Sequence, residues 1–358
     1  MSDGGCVVAA DGSVTFVHRD AAASKVLVAG DFTGWERAPI ALARAAGSDV
    51  WTARTGPLAP GLHTYKLVID GRWVGAPAGA LGYSDGFGGR NAAFVVGARP
   101  LGEPSAVRVA SLNLHTYQER NPLDKIEQIA VAMAAMDADL LLLQEVGEHV
   151  SDPARPNAGE VLRRHLEANT AKTWHHVWRE AHIGFDVYRE GLSILSSAPI
   201  DDVTTVRLSD KGLARIAVLG TTELRGIKLR AGTTHISWEP ADGEAEAQRL
   251  LAALDAAPGR GIDAILIAGD FNTGASGRPI QRFVAQDFID VGAAAGVVSE
   301  TFLDAPRERI DYHFLRRAIG RAAPRIEGFA RTFDGDTRRG YQPRVSDHAG
   351  LIGAYAWG

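Results

Sequence analysis

Carboxylates, amides and imidazoles recur at the ends of apolar runs in this chain. Asn113 closes Val109-Ala-Ser-Leu-Asn113, Glu145 closes the run that starts at Leu140, and His235 closes the run that starts at Leu229. Asp270 and Asn272 end Ile265-Leu-Ile-Ala-Gly-Asp-Phe-Asn272, Asp311 lies in Arg309-Ile-Asp-Tyr312, and Asp347-His348 precede the last apolar run. If these runs are neighbouring strands, their polar ends converge on one cleft. Taken singly each has a plainer reading, since Asn and Asp are turn and cap residues and a buried histidine can be merely hydrogen-bonded. Taken together they offer hard oxygen, amide and imidazole groups and no thiol. That set suits a hard cation, Mg²⁺ or Mn²⁺, and the cleavage of a phosphoester, which needs charge screening, an aimed water and oxyanion donors.

The elements that must position these groups begin after a change of pattern near residue 97. Up to Val96 short alternating stretches, Val14 to Val17, Lys25 to Ala29, Trp51 to Arg54 and His63 to Ile69, are separated by Gly, Pro and Asp turns, a spacing that predicts an all-β sandwich. The segment Gly97 to Ser105, with two prolines and two glycines and no apolar periodicity, marks the linker, bounded at 99–106, so the domains are 1–98 and 107–358. Beyond it the pattern predicts strands at Val107 to Leu114, Asp139 to Glu145, Leu192 to Ser196, Ile216 to Thr222, Ile227 to Ile236, Ile262 to Ala268, Ile310 to Leu315 and Ala349 to Tyr355. Helices are expected near Leu123 to Met136, Glu160 to Asn169, Glu244 to Ala256 and Pro279 to Gln286. Strands with interposed helices imply packed sheets under helical layers. No internal repeat is visible.

Ser111-Leu-Asn-Leu, Leu143-Gln-Glu, Thr234-His, Gly269-Asp-Phe-Asn, Arg309-Ile-Asp-Tyr and Ser346-Asp-His resemble, in order, the motif series of the endonuclease/exonuclease/phosphatase superfamily. The resemblance implies an α/β fold, a four-layer αββα sandwich, over 107–358. It implies Glu145 as the main metal ligand, with Asn113 helping and Asp347 completing the shell. Asp270 is expected to orient and deprotonate the attacking water, and Asn272 to hold that water or a phosphate oxygen. Asp311 is expected to pair with His348 and keep it cationic against a phosphate oxygen, and His235 to contact phosphate or leaving group. In some members a further glutamate supports the residue matching His235; Glu180 and Glu190 are both candidates, while His182 and Arg189 read as structural. The stretches Asn113-Leu-His-Thr-Tyr-Gln-Glu119 and Glu190-Gly-Leu-Ser-Ile-Leu-Ser196 are similar to the maltose 6'-phosphate phosphatase branch.

In the first domain, Gly30-Asp-Phe-Thr-Gly-Trp35, Gly61 to Trp73 and Asn91 resemble the glycogen-binding carbohydrate module, an immunoglobulin-like β-sandwich. That resemblance implies that Trp35 and Trp73 stack on glucose rings while Lys66 and Asn91 bond hydroxyls. The glycine-rich Ala76 to Gly89 segment could cover or reshape such a site, and a spacer role for the module is the plainer alternative.

Composition narrows the rest. The chain has 358 residues, 46% hydrophobic and 23% charged, enough apolar material for real cores. The single cysteine, Cys6, forms no internal disulfide, and no Cys/His cluster has zinc spacing. The start carries no signal-like apolar segment and no run is long enough to span a bilayer, so a cytoplasmic protein with no membrane partner is expected. The formal net charge is -5, yet Arg307 to Arg344 holds ten arginines against five acids. The leading expectation is an enzyme, a Mg²⁺-dependent hydrolase of a phosphorylated saccharide, with α-glucan as a partner of the first domain. Nucleic acid, cut by a nuclease or phosphodiesterase that uses the arginine cluster, is the runner-up, and an inert glycan-binding protein is the third reading.

Overall fold

The computed structural model describes residues 4–77, 80–256, 261–335 and 344–357. The first domain contains β1 (Gly4–Val8), β2 (Val14–Arg19), β3 (Val26–Gly30), β4 (Ile40–Ala41), β5 (Ala43–Arg44), β6 (Val50–Arg54), β7 (Gly61–Ile69), β8 (Arg72–Val74), β9 (Gly82–Ser84) and β10 (Arg90–Val96). They form two sheets, ordered β1-β2-β6-β5 and β4-β3-β7-β10-β9, with β8 paired to β7. Between them alternate residues such as Val14, Phe16, Val26, Val28, Trp51, Tyr65, Leu67 and Phe94 make the core.

The second domain contains β11 (Val107–Asn113), α1 (Pro122–Ala135), β12 (Leu140–His149), α2 (Ala158–Asn169), β13 (His175–Gly184), β14 (Tyr188–Ser196), β15 (Asp201–Ser209), β16 (Arg215–Leu224), β17 (Ile227–His235), α3 (Pro240–Ala256), β18 (Ala264–Asp270), α4 (Arg278–Ala285), β19 (Ile289–Asp290), α5 (Val291–Ala294), β20 (Asp311–Arg317), β21 (Arg325–Thr332) and β22 (Gly350–Ala356). One sheet runs β13-β14-β12-β11-β22-β21 and the other β15-β16-β17-β18-β20-β19. Each has one parallel pair near its middle, β11 with β12 and β17 with β18, flanked by antiparallel neighbours. The connecting helices α1 and α3 are the crossovers a parallel pair demands.

Three apolar clusters define four layers. Leu112, Leu141 and Leu143 pack on Ile126, Met133, Leu162 and Leu166 of α1 and α2. Val109, Leu140, Leu142 and Leu351 of the first sheet meet Val218, Leu229, Leu266 and Leu315 of the second. The outer face of the second sheet, with Ile265, Ile267 and Phe314, is closed by Leu250, Leu254, Ile280 and Phe283 of α3 and α4. The run Leu140 to Leu143 serves two of these cores, odd residues on the helices and even residues on the facing sheet, which is why it is apolar throughout.

Among the longer strands of the second domain, the structure adds β13, β15 and β21 to those read from sequence. All three are outer strands of their sheets, largely half-buried or exposed, so they need no apolar run and leave no periodic signal. The segment 99–106 also does more than join the domains. Arg108 donates to the carbonyls of Leu101 and Glu103, both at 2.8 Å, and the Glu103 amide donates to Glu327. Strand β10 is buried on both faces: Ala92, Phe94 and Val96 enter the first domain's core, while Ala93 and Val95 pack on Val131 of α1. Backbone amides of Gly82 and Ser84 in β9 donate to Asn169 (2.7 Å) and Glu127 (2.9 Å). The glycine-rich segment thus includes a docking strand.

Candidate active site

Strand register builds the site. His235 of β17 lies opposite Asp270 of β18, and Asp270 lies opposite Asp311 of β20, so three adjacent strands deliver a histidine and two carboxylates at one level. Gly269, one residue before Asp270, has φ +156°, and a Cβ there would sit 2.0 Å from the Thr234 carbonyl, so only glycine allows β17 this close. From the facing sheet come Asn113, at the end of β11, and Glu145. The β12–β14 pairing is irregular between Leu143 and Val146, and Glu145 takes φ +48° there. Such a bulge re-aims one side chain without ending the strand.

These groups are in contact across the two sheets. Asn113 Nδ2 donates to Glu145 Oε1 at 2.8 Å and to Asp270 Oδ2 at 3.2 Å. His348 Nδ1 donates to Asp311 Oδ2 at 2.8 Å, while its Nε2 lies 3.7 Å from Asp270 Oδ2. His235 Nε2 lies 3.5 Å from the same oxygen. The Asn272 amide donates to Asp270 Oδ1, and its side chain donates to the Ile236 carbonyl, each at 2.8 Å. Asp347 groups with His115 and Glu119; its Oδ1 is 3.5 Å from His115 Nδ1.

Burial sets the charges. Desolvation, joined by the Glu190 carboxylate, pushes Glu145 up to about 7. Desolvation, joined by Asp311 and opposed by His348, pushes Asp270 up to about 6. Burial opposes a charge on His348, but the Asp311 and Asp270 carboxylates outweigh it and raise the imidazole to about 10. His235 goes the other way: burial, with Arg215 and His348 nearby, holds it well below its ordinary value. The cleft therefore pairs a cationic with a neutral histidine, and it keeps carboxylates at a potential that favours a cation. Glu145, His235 and Asp270 each bring a ligand atom into one small volume. This oxygen-rich, thiol-free set fits a divalent metal.

The cleft has a cavity of about 580 Å³. Its walls include Arg215 and Trp238, which no sequence motif singled out, and His115 and Glu190, which lie in the stretches quoted above. Of the two candidate glutamates, Glu190 is in the cleft beside His182, at 3.4 Å, whereas Glu180 is exposed and bonded to Arg189. His182, read as structural, lines the cleft as well. Glu190 was one of the two glutamates that the family resemblance offered; Arg215 opens a strand and carries no local signal.

The residues expected to contact sugar lie elsewhere. The Trp35 and Trp73 rings are 6.4 Å apart, tilted by 46°, and Trp73 is exposed. Lys66 Nζ donates to Asp85 Oδ2 at 2.8 Å, and Asn91 is buried.

A model of the endonuclease/exonuclease/phosphatase family matches residues 110–348. The chain belongs to that family, whose members are typically metal-dependent phosphoesterases, and the amino-terminal strands lie outside the match. No curated protein matches the chain. Among solved structures, a family protein from Leptotrichia buccalis is similar at 22% identity over 70% of this chain and 100% of its own, with a TM-score of 0.60. The human nocturnin catalytic domain with bound sulfate anion aligns at 18% identity over 71% and 94%, TM-score 0.54. D. rerio TDP2 complexed with single strand DNA product aligns at 17% over 70% and 99%, TM-score 0.53. These likenesses establish the fold. Among the described residues no helix is long and apolar enough to cross a membrane.

Proposed function

We propose that the protein is a divalent-metal-dependent phosphatase acting on a phosphomonoester of a sugar, of the maltose 6'-phosphate kind. The observation that carries the reading is the cleft itself: buried Asp270, Asp311 and His348 in contact, beside Glu145, at the floor of a cavity sized for a small ligand. When bound, a divalent cation held by Glu145 and Asn113 supplies charge screening for the phosphoryl group. Asp270 accepts a proton from the attacking water, a task suited to a carboxyl whose affinity for protons burial has raised. Asn272 holds that water in place. His348, kept cationic by Asp311, donates to a phosphoryl oxygen through Nε2. Neutral His235 faces the same oxygen cluster and contacts the leaving side.

The arginine cluster gives the nucleic-acid reading little support. Arg309, Arg316, Arg321, Arg325, Arg331 and Arg344 each pair with a carboxylate, so they are not a free basic track. Arg338 and Arg339 lie outside the described residues. The neighbour that holds single strand DNA shares only the fold. For the first domain we propose α-glucan binding through Trp35 and Trp73, whose paired rings offer apolar faces to sugar C–H groups.

Phosphate release from maltose 6'-phosphate, compared with hydrolysis of single-stranded DNA, with Mg²⁺ and with chelator, tests the reading. Metal-dependent release from the sugar phosphate is expected to dominate. Faster cleavage of DNA would transfer the function to the nuclease reading.

A further inference from the structure

Arg215, the first residue of β16, is 4% exposed and lines the cavity. The other buried arginines among the described residues have acceptors, although Arg230 Nε is left without one. Arg108 bonds two carbonyls and Asp137, Arg309 pairs with Asp290, and Arg230 bonds Asp202, Thr221 and Thr204. Arg215 has no such partner among the described residues: no acceptor takes its N–H groups and no carboxylate lies within 4.0 Å. The Trp238 ring lies against it, its centroid 5.2 Å from the guanidinium carbon, a contact that uses none of its donors. The acid within its electrostatic range is Glu246, and that carboxylate is bonded to the Ser237 amide.

A buried guanidinium with no bonded acceptor is costly to a folded protein. It is tolerated where an anion arrives to complete it, and its planar fork of donors matches two oxygens of a phosphoryl group. We infer that Arg215 holds the phosphoryl oxygens of the substrate, working with His348, which lines the same cavity, and that Trp238 orients it. The inference rests on the phosphoesterase reading and deepens it. A monoester dianion presents more charge and one more free oxygen than a diester, and two cationic donor groups in addition to the metal site favour the monoester.

The test compares wild type, Arg215→Met and Arg215→Lys in the metal-loaded protein. Isothermal titration with inorganic phosphate is read beside kinetics on p-nitrophenyl phosphate and bis-p-nitrophenyl phosphate. Arg215→Met, which keeps the apolar stem, is expected to weaken phosphate binding about tenfold or more and to raise KM on the monoester, with a smaller effect on the diester. Arg215→Lys restores charge but not the fork, and should recover part of the loss. Metal affinity, titrated separately, should stay unchanged. Phosphate affinity and monoester KM within about twofold of wild type in Arg215→Met would overturn the inference and leave the phosphoesterase reading standing. Should that variant fail to fold, wild-type phosphate affinity in Arg215→Lys would overturn it equally. A wild-type protein that binds no phosphate and cleaves neither ester would remove both.

Discussion

The cleft and the tryptophan face of the first domain both rest on a handful of polar or aromatic residues drawn from separate strands, and they differ in what surrounds those residues. In the cleft Asn113, Asp270, Asp311 and His348 are buried and bonded to one another, so each charge is set by its neighbours and removing one changes the rest. On the module a half-buried Trp35 ring lies beside an exposed Trp73 ring, while Lys66 is engaged by Asp85 and Asn91 is buried. Coupled buried groups do chemistry; exposed rings add affinity one contact at a time.

The largest break in that contrast is expected from Glu145→Ala. Turnover should fall to background with the fold intact by circular dichroism, because the anionic ligand proposed for the metal is gone, and Glu145→Gln should recover partly at high metal. Full activity in chelator would refute the metal mechanism. Next, His348→Ala and Asp311→Ala should each lower kcat by roughly 10² or more, while the double variant loses little beyond the worse single change, since the pair acts as one unit. Strictly additive losses in steady-state kinetics would show two independent groups.

On the module, replacing Trp35 and Trp73 together with alanine should weaken maltooligosaccharide binding about tenfold or more by titration calorimetry. Turnover on a small soluble phosphate ester should stay within about twofold, since the rings lie outside the cleft. No measurable heat from the wild type would return the domain to a spacer role.

A smaller effect sharpens the role of company around a buried imidazole. His313 bonds Ser111 and Tyr355 across the two sheets (2.9 and 2.8 Å), and burial, with no carboxylate to oppose it, lowers it to about 3. It is the neutral counterpart of cationic His348. The unfolded chain gains a proton near pH 6.5 while the folded one does not until about 3. Stability from this group is therefore complete above pH 6.5 and is lost as pH falls through that window. Urea unfolding at pH 6.5 and 5.5 should show about 1 kcal/mol lost to this residue, a loss absent in His313→Gln. The smallest change is expected from Asp85→Ala, which frees Lys66 and should tighten glucan binding about threefold or less, because partly exposed ion pairs are weak. A loss of affinity would mean that Asp85 itself helps to shape the site.

Much of the second domain was legible because its central strands are buried on two faces and end in chemically distinct residues. Asn113, Glu145 and Asp270 each stand where an apolar run stops, and Asp311 where a strand opens. The outer strands β13, β15 and β21 were not legible, because an edge carries no apolar run. Arg215 and Trp238 were not legible either, because neither belongs to a motif, and only the packing of β16 beside the cleft makes a buried arginine conspicuous. The two sheets share a strand pattern that no sequence repeat records, since a parallel pair with its helical crossover constrains periodicity rather than identity.

By itself the chain determined which runs are strands, where the apolar cores must form and which polar types cap the strands, all consequences of local periodicity and side-chain chemistry. Tertiary structure alone decided which charges those polar groups carry. His348 is cationic and His313 neutral although both are buried histidines, because one meets two carboxylates and the other meets hydroxyls. It also decided that β10 serves two surfaces at once, holding the first domain against α1. Burial and electrostatic company depend on residues far apart in the chain, so no local window contains them.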